Sequence, residues 1–208
     1  MGATWDDLRI SCLQKMFSLD EPTLVRNSTT TPYINMMPGA ANEALLLLAT
    51  VGRQFIKKYV LEDAAGEPLG EWMSYDLREL VEDFYTLESI YRDSDGKYER
   101  FPGYRLEGER YLLLPQQAGG SFILWYAAYP PKLTKDTLGE FPLDLHPEAL
   151  SMVALYMAGQ LYKDDDLSLA QTYMNEWATW LEELKISAKR AKGRNSSSGT
   201  WKSVTGWT

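Results

Sequence analysis

The chain has 208 residues, a net charge of -8 and a single cysteine, Cys12. That length suits one domain, or one domain with a sizeable insertion, and the lone cysteine excludes an intrachain disulfide framework and a multi-cysteine zinc site. The sequence does not open on a basic region followed by an apolar run, and no apolar run approaches the roughly eighteen residues of a membrane-spanning helix. We therefore expect a soluble protein made in a reducing cytoplasm.

Two parts of the chain carry net charges of opposite sign. Residues 185–208 contain six basic residues and no acid, so this tail carries +6, and the remainder, with 15 basic and 29 acidic residues, carries -14. The body should repel polyanions, whereas the tail should attract polyanions or an acidic protein surface.

Two helices are predicted in the first fifty residues. Thr4-Trp5-Asp6-Asp7 resembles a capping box, and the helix that it starts continues to about Phe17. From Thr23 to Pro38 the chain is rich in Thr, Asn and Pro, which predicts a loop of more than a dozen residues. Pro38 to Thr50 then predicts a second helix, buried on more than one side.

The central part of the chain is predicted to be β-rich. The segment from Phe55 to Leu61 has the aromatic and β-branched residues of a strand. Between Glu71 and Tyr129, five further short runs follow: Trp72–Leu77, Leu87–Arg92, Tyr104–Leu106, Glu109–Leu114 and Ser121–Ala127. Asp95-Gly96 is the strongest hairpin signal among the turns between them. We expect a short sheet or a small sandwich.

The stretch from Leu145 to Lys185 predicts a helical hairpin. Apolar residues recur at alternating steps of three and four in both halves, which places them on one face of each helix. Asp164-Asp165-Asp166 forms the corner between the halves and offers a side chain to cap the second helix. Two helices joined by so short a corner should pack on each other.

The last segment differs in composition. Arg194 to Gly199 has the makeup of a flexible linker, and Trp201 and Trp207 beyond it are the large rigid aromatics that anchor interfaces. The candidate partner-docking residues are therefore Lys189, Arg190, Lys192, Arg194, Trp201 and Trp207.

The predicted fold class is α+β and mainly α. We expect a bundle of about four helices with a β-rich insertion of about five to six short strands and an extended C-terminal arm. The predicted segments are 1–66, with the N-terminal helices and the first strand of the bundle, 67–130, the β-rich insertion, 131–185, the helical hairpin, and 186–208, the arm.

Residues that commonly carry catalysis are sparse. The only histidine, His146, precedes a proline at the start of a helix, and no cysteine or second histidine completes a common zinc site. No serine lies in a Gly-x-Ser-x-Gly elbow, and Gly119-Gly120-Ser121 lacks the ending of a phosphate-binding loop. Asp164-Asp165-Asp166 lacks the spacing of a calcium loop, which favours helix capping. We expect no enzymatic activity, no cofactor and no metal.

Several segments, taken in order, resemble one family, the head-to-tail adaptor or head-completion proteins of tailed bacteriophages. The segments cover most of residues 38–185, and they are Asn42-Glu43-Ala44-Leu45, Tyr75-Asp76-Leu77, Asp83-Phe84-Tyr85, Ala128 to Thr134, Pro147-Glu148, Leu155 to Ala158, Gln160 to Asp166, and Ala170 to Trp177. None is specific alone, and their common order carries the resemblance.

The resemblance implies a structural, non-enzymatic protein of the virion neck that is made in the host bacterial cytoplasm. Such proteins form a ring, usually of twelve copies, beneath the portal protein, and genomic DNA passes through its lumen without sequence-specific binding. The implied partners are the portal, neighbouring copies of the chain, and a stopper or tail protein below, with no membrane. In similar adaptors the C-terminal segment reaches onto the portal or neighbouring subunits.

Two alternatives remain open at this point. The aromatic residues of the 71–129 sheet, with a carboxylate pair, would suit a carbohydrate-binding module or a glycosidase, whose two carboxylates lie about 5 to 10 Å apart. Another ring of the phage neck, a stopper or tail-completion protein, would share the structural class and differ in position.

Overall fold

The computed structural model describes residues 2–17, 22–52, 55–62, 66–94 and 97–196, without the side chains of residues 51, 52, 94 and 188–196. These residues form five α-helices, one of them a single turn, and eight strands, which confirms the α+β class. The helices are α1 (Trp5–Phe17), α2 (Thr31–Leu47), α3 (Leu77–Leu80), α4 (Pro147–Leu161) and α5 (Leu167–Ser196). A π-helical turn, Leu48–Gly52, follows α2, and a short 3-10 helix spans Gln116–Ala118.

The strands form two antiparallel sheets of four. They are β1 (Ile56–Leu61), β2 (Glu67–Leu69), β3 (Trp72–Asp76), β4 (Phe84–Ser94), β5 (Lys97–Arg100), β6 (Arg105–Glu107), β7 (Tyr111–Pro115) and β8 (Phe122–Ala128). The first sheet has the order β1-β8-β4-β5 and the second β2-β3-β7-β6. Buried residues of both sheets belong to one hydrophobic cluster that also includes the helices. The sequence therefore predicted the mixed helical and β-rich composition of the fold.

Helix α4 lies at the centre of the bundle, because it contacts α1, α2 and α5. Such a position requires apolar residues around the whole helix, and α4 has them. Its buried residues are Ala149, Val153, Ala154, Leu155, Tyr156, Met157, Ala158, Gly159 and Leu161. At Gly159 an added Cβ would lie 3.0 Å from Met174 Sδ, so the glycine allows α5 to approach closely.

Both predicted helix caps are present. The Thr4 backbone N–H donates to Asp7 Oδ2 at 2.8 Å, and the Asp7 backbone N–H donates to Thr4 Oγ1 at 3.2 Å, which is the reciprocal pairing of a capping box. At the hairpin corner, the Leu169 backbone N–H donates to Asp166 Oδ1 at 2.9 Å. One aspartate of the acidic corner therefore caps α5.

Helix α2 begins seven residues before the predicted start. The Asn27 side chain accepts hydrogen bonds from the backbone N–H groups of Thr29 and Thr30, both at 2.9 Å, and so organises the turn that leads into the helix. Pro32 occupies the first helical turn. Backbone N–H groups in that turn have no acceptor within the helix, so the N–H that proline lacks costs no helical hydrogen bond. Pro38, predicted to open the helix, lies buried inside it.

Two strands are absent from the sequence prediction. All residues of β2 and β5 are exposed, so neither strand shows the alternation of apolar and polar residues on which strand prediction depends. The predicted hairpin is consistent with the pairing of Ser94 with Lys97, although Asp95 and Gly96 lie outside the described residues. Both unpredicted strands lie at sheet edges, where one side of the backbone has no neighbouring strand.

The predicted segment boundaries need two corrections. Strand β1 pairs with β8 along six residue pairs, from Ile56 with Ala127 to Leu61 with Phe122, so it belongs to the β-rich part and not to the bundle. At the other end, α5 continues through Lys185 to Ser196 as one helix of 30 residues, so the hairpin does not end where the arm was predicted to begin. Residues 186–196 are rich in Ala, Lys and Arg, which are good helix formers.

A connection of 18 residues, 129–146, leads from β8 to α4 and is tied to the N-terminal helices. The backbone N–H groups of Trp5 and Asp6 donate to the carbonyls of Phe141 at 2.9 Å and Gly139 at 2.8 Å. Asn42 binds both backbone groups of Leu133, each at 2.8 Å. A long loop with so many specific bonds is a fixed part of the fold.

Candidate partner-docking surfaces

The predicted docking residues fall at the end of α5. The backbone of Lys189, Arg190, Lys192 and Arg194 is helical, whereas Trp201 and Trp207 lie outside the described residues. Helix α5 has 30 residues and α4 has 15, so at 1.5 Å per residue they measure about 45 Å and about 22 Å. The hairpin partner therefore covers about half of α5, and the basic residues lie beyond that half.

The side of α5 that faces away from the bundle presents a stripe of exposed residues, which begins in the half covered by α4 and continues beyond it. At alternating steps of four and three these are Thr172, Glu176, Thr179, Glu183 and Ile186, a surface that we name the helix face. The opposite side of α5 carries Trp177, which is 3 % exposed and packs edge-on against Tyr156 with ring centroids 5.1 Å apart. The helix face carries two negative charges and no positive one.

The first sheet has an apolar outer surface. Residues paired across an antiparallel ladder share a face, and the pairing places Trp125 beside Lys58 on one neighbour and Ser89 on the other. The residues of this surface, which we name the sheet face, are Ile56, Lys58, Val60, Ser89, Tyr91, Asp93, Tyr98, Arg100, Ile123 and Trp125. Ile56, Val60 and Tyr98 are 43 %, 48 % and 61 % exposed, and Trp125 is 38 % exposed.

The opposite face of the same sheet is part of the core. Phe122, Leu124 and Tyr126 on β8 and Ile90 on β4 are all at most 5 % exposed. Strand β8 thus carries apolar residues towards both faces, as its sequence FILWYAA shows. The sequence predicts this run to be a strand but does not predict its outer surface, because a continuous apolar run does not indicate which side is covered.

Two ion pairs link the ends of strands. Arg110 binds Asp76 with its Nε 2.8 Å from both carboxylate oxygens, and Asp76 Oδ1 also accepts from the Arg78 backbone N–H at 3.1 Å, which caps α3. The hydrogen bond from Arg110 lowers the pKa of Asp76. Lys57 Nζ lies 2.6 Å from Asp83 Oδ2. These bonds are structural links across the β-rich part.

A cleft in the β-rich part lies between the two sheets and has a volume of about 410 Å³. Its lining comes from both sheets and from the 3-10 helix: Pro68, Met73, Tyr75, Leu114, Pro115, Gln116, Ala118, Gly119 and Phe122. No ionisable side chain other than the Tyr75 phenol is among these residues. The cleft lacks the carboxylate pair that hydrolysis of a glycoside requires.

Residues with other chemical potential are dispersed. Among the described residues, no three His, Cys, Asp or Glu side chains lie close enough together to hold a metal ion. His146 is exposed at the N-cap of α4. Cys12 is buried in α1, and that burial raises the pKa of its thiol. In the part of the chain that the structure describes, no helix has the length and apolar composition needed to cross a bilayer.

Comparison of the chain with models of protein families gives no match, and comparison with functionally described proteins gives no significant relative. The resemblance to phage adaptors therefore depends on the ordered segments described above.

Proposed function

We propose that this protein is a head-to-tail adaptor of a tailed bacteriophage. It forms a ring under the portal, extends the DNA channel, completes the head and links the head to the tail. The protein acts as a structural component of the virion neck and carries no catalytic step. The observation that carries this proposal is that segments of the resemblance, far apart in sequence, meet in the fold.

Residues Asn42 and Glu43 of the first segment make the clearest of these contacts. Asn42 binds the backbone of Leu133, which belongs to the segment after β8. Its neighbour Glu43 accepts a hydrogen bond at 3.1 Å from the hydroxyl of Tyr156, in the α4 segment. Side-chain hydrogen bonds from two adjacent residues of α2 therefore hold three separate segments of the resemblance together.

A second observation supports docking through the C-terminus. About half of α5 extends past α4, and in that half Lys185 to Arg194 contains five basic residues and no acid. A helix C-terminus is also the negative end of the helix dipole, where cations are stabilising. We assign this segment, with residues 197–208 beyond it, to contact an acidic surface of the portal.

The acidic body suits a channel through which DNA moves. Each phosphate paired with Lys or Arg adds salt-dependent affinity, and such pairing would retain a genome that must pass freely. The portion of the chain before residue 185 carries -14. An acidic lumen would repel the DNA backbone and let the duplex slide.

The decisive measurement is the mass of the purified protein in solution, alone and mixed with the matching portal ring. We expect a defined stoichiometric ring of this chain on the portal. If the chain and the portal ring form no complex even when the concentration of both is raised, that result would contradict the adaptor role. Visualising the stacking order in the assembled neck would separate an adaptor from a stopper or tail-completion ring.

A truncation tests the C-terminal arm. Removal of residues 197–208 leaves the described part of α5 intact, so we expect an unchanged circular dichroism spectrum and loss of portal binding. The matched full-length control is Trp201→Ala with Trp207→Ala. If this double variant binds the portal within about threefold of the unchanged protein, less than roughly 0.7 kcal/mol, the tryptophans are not anchors.

The carbohydrate alternative retains one supporting observation. Four aromatic residues of the strands are buried, namely Tyr75, Phe84, Phe122 and Tyr126, but Trp125 and Tyr98 are exposed on the sheet face and Tyr111 is exposed on the second sheet. Binding to oligosaccharides on a glycan array, lost on Trp125→Ala, would favour this alternative. The adaptor proposal expects no glycan binding.

A further inference from the structure

The sheet face is a surface whose composition indicates a partner. Sheets that face water on one side alternate apolar and polar residues, whereas strands covered on both faces are apolar throughout. Strand β8 is of the second kind, but on its outer face only Ala127 is fully buried, and the described residues leave Trp125 38 % exposed. Exposed Ile56 and Val60 on β1 widen the apolar surface around Trp125.

We propose that the sheet face of one copy docks on the helix face of a second copy. This inference rests on the proposed ring and identifies the two surfaces that would form it. Each copy then uses one surface towards one neighbour and the other surface towards the next. A head-to-tail contact of this kind generates a closed ring when the rotation between copies closes.

The charges on the two faces favour binding of the helix face of a second copy to the sheet face. The chain carries -8, so two copies repel each other unless a locally basic surface meets an acidic one. The sheet face has two exposed cations, Lys58 and Arg100, and one carboxylate, Asp93. The helix face has Glu176 and Glu183, which are seven residues apart and therefore on the same side of α5.

The same charges disfavour the symmetric arrangement, in which two sheet faces meet. That contact would bring four cations and only two carboxylates into one apolar interface, and charge without a partner is costly there. The head-to-tail contact supplies a carboxylate for each cation, and Ile186 on the helix face adds an apolar side chain, 49 % exposed, for the apolar residues around Trp125. The indole of Trp125 would be the central anchor.

Charge reversal on each face tests this arrangement without any other component of the virion. The first variant combines Lys58→Glu with Arg100→Glu, and the second combines Glu176→Lys with Glu183→Lys. Sedimentation velocity over a wide range of protein concentration measures the self-association of each one. We expect the unchanged chain to associate increasingly with concentration, and each variant to associate at least about tenfold more weakly.

Mixing the two variants is the decisive step. In the mixture, the acidic sheet face of the first variant meets the basic helix face of the second, and the two unaltered faces also match each other. We expect the mixture to recover association to within about threefold of the unchanged chain. A symmetric sheet-to-sheet contact predicts a different result, since the second variant would then retain full association alone.

A control separates specific contact from net charge. Glu67→Lys with Glu107→Lys makes the same change in net charge as the second variant, on exposed residues of the second sheet. Both variants carry less net negative charge than the unchanged chain, so the overall electrostatic repulsion between copies is weaker in both. If the helix-face variant nevertheless associates more weakly, the cause is the loss of a specific contact. Circular dichroism verifies that every variant is folded.

Three outcomes would overturn the proposal. They are a chain that stays monomeric up to its solubility limit, a mixture that does not recover association, and a glycan that binds at Trp125 in place of a second copy. The proposed function fails differently, because self-association through these faces with no binding to a portal ring would contradict the adaptor role alone.

Discussion

The helical bundle and the first sheet differ in how completely the chain covers their apolar residues. In the bundle, α4 is enclosed by α1, α2 and α5, and Val153 and Met157 have no exposed surface. In the sheet, Leu124 and Trp125 are adjacent on one strand, and only Leu124 is buried. The described residues enclose α4, whereas they leave Trp125 on the outer face of the sheet exposed. Stability should therefore depend on the bundle and the inner sheet face, and association on the outer face.

The largest expected effect is in the bundle. Trp177→Ala removes an indole that is 3 % exposed and packs between Tyr156 and Trp180, so we expect the free energy of unfolding to fall by about 3–5 kcal/mol. Denaturant unfolding measures this change. Thr172→Ala, on the exposed side of the same helix, should stay within about 0.5 kcal/mol. Similar values for the two variants would contradict the packing described for α5.

The next prediction compares two neighbours on β8. Leu124→Ala leaves a cavity in the core and should cost about 2–5 kcal/mol of unfolding free energy. Trp125→Ala removes a side chain from the sheet face and should change the stability of the single chain by far less, while weakening self-association. Unfolding and sedimentation measured on both variants sharpen the contrast between the two faces. A large loss of stability from Trp125→Ala at low protein concentration would show that the outer face is covered within one copy.

The smallest expected effect concerns pH. The hydrogen bond from Arg110 holds the pKa of Asp76 below its ordinary value in the folded chain, so the carboxylate contributes stability that is complete above the pKa of the unfolded chain, near 4. That contribution is lost as the pH falls through the lower folded pKa. At pH 7, Asp76→Asn should therefore have a lower free energy of unfolding than the unchanged chain, and the loss should be smaller than that caused by Leu124→Ala. The difference in stability between Asp76→Asn and the unchanged chain should shrink below about pH 4. A difference that stays constant down to pH 2 would remove the ion pair as its cause.

Local signals in the sequence predicted much of the fold. The capping box at Thr4, the aspartates at the hairpin corner and the helical periodicity after Leu145 each depend on residues close together in the chain. Six of the eight described strands were also predicted, because their runs contain aromatic and β-branched residues. Interactions between residues that are close in sequence can be predicted without knowledge of the tertiary structure.

The observed structure differs from the sequence prediction mainly where residues distant in sequence determine the local structure. Helix α2 starts early because Asn27 organises its first turn, although the surrounding Thr and Pro residues are typical of a loop. Strand β1 joins the β-rich part because β8, more than sixty residues later, pairs with it. The sheet face was not predicted for the same reason, since it exists only when β1, β8, β4 and β5 lie side by side.

The docking role of the C-terminal residues stays a prediction, and the structure bears only on the backbone of some of them. The basic residues from Lys189 to Arg194 were recognised from composition, but their helical backbone was not, because Ser and Gly residues after them are typical of a linker. The anchoring role of Trp201 and Trp207 stays a prediction, because both residues lie outside the described part of the chain.

The bonds between the N-terminal helix and the 129–146 connection bear on how the chain folds during synthesis. The backbone N–H groups of Trp5 and Asp6 find their partners more than 130 residues later, and α1 packs on α4, which follows those partners. Helices α1 and α2 must therefore leave the ribosome with their apolar faces uncovered and wait while the whole β-rich part is translated. Contacts of such sequence separation form slowly, so the bundle should be the last part of the molecule to close. A nascent chain halted before α4 should consequently expose the buried side of α2 and bind chaperones that recognise apolar segments.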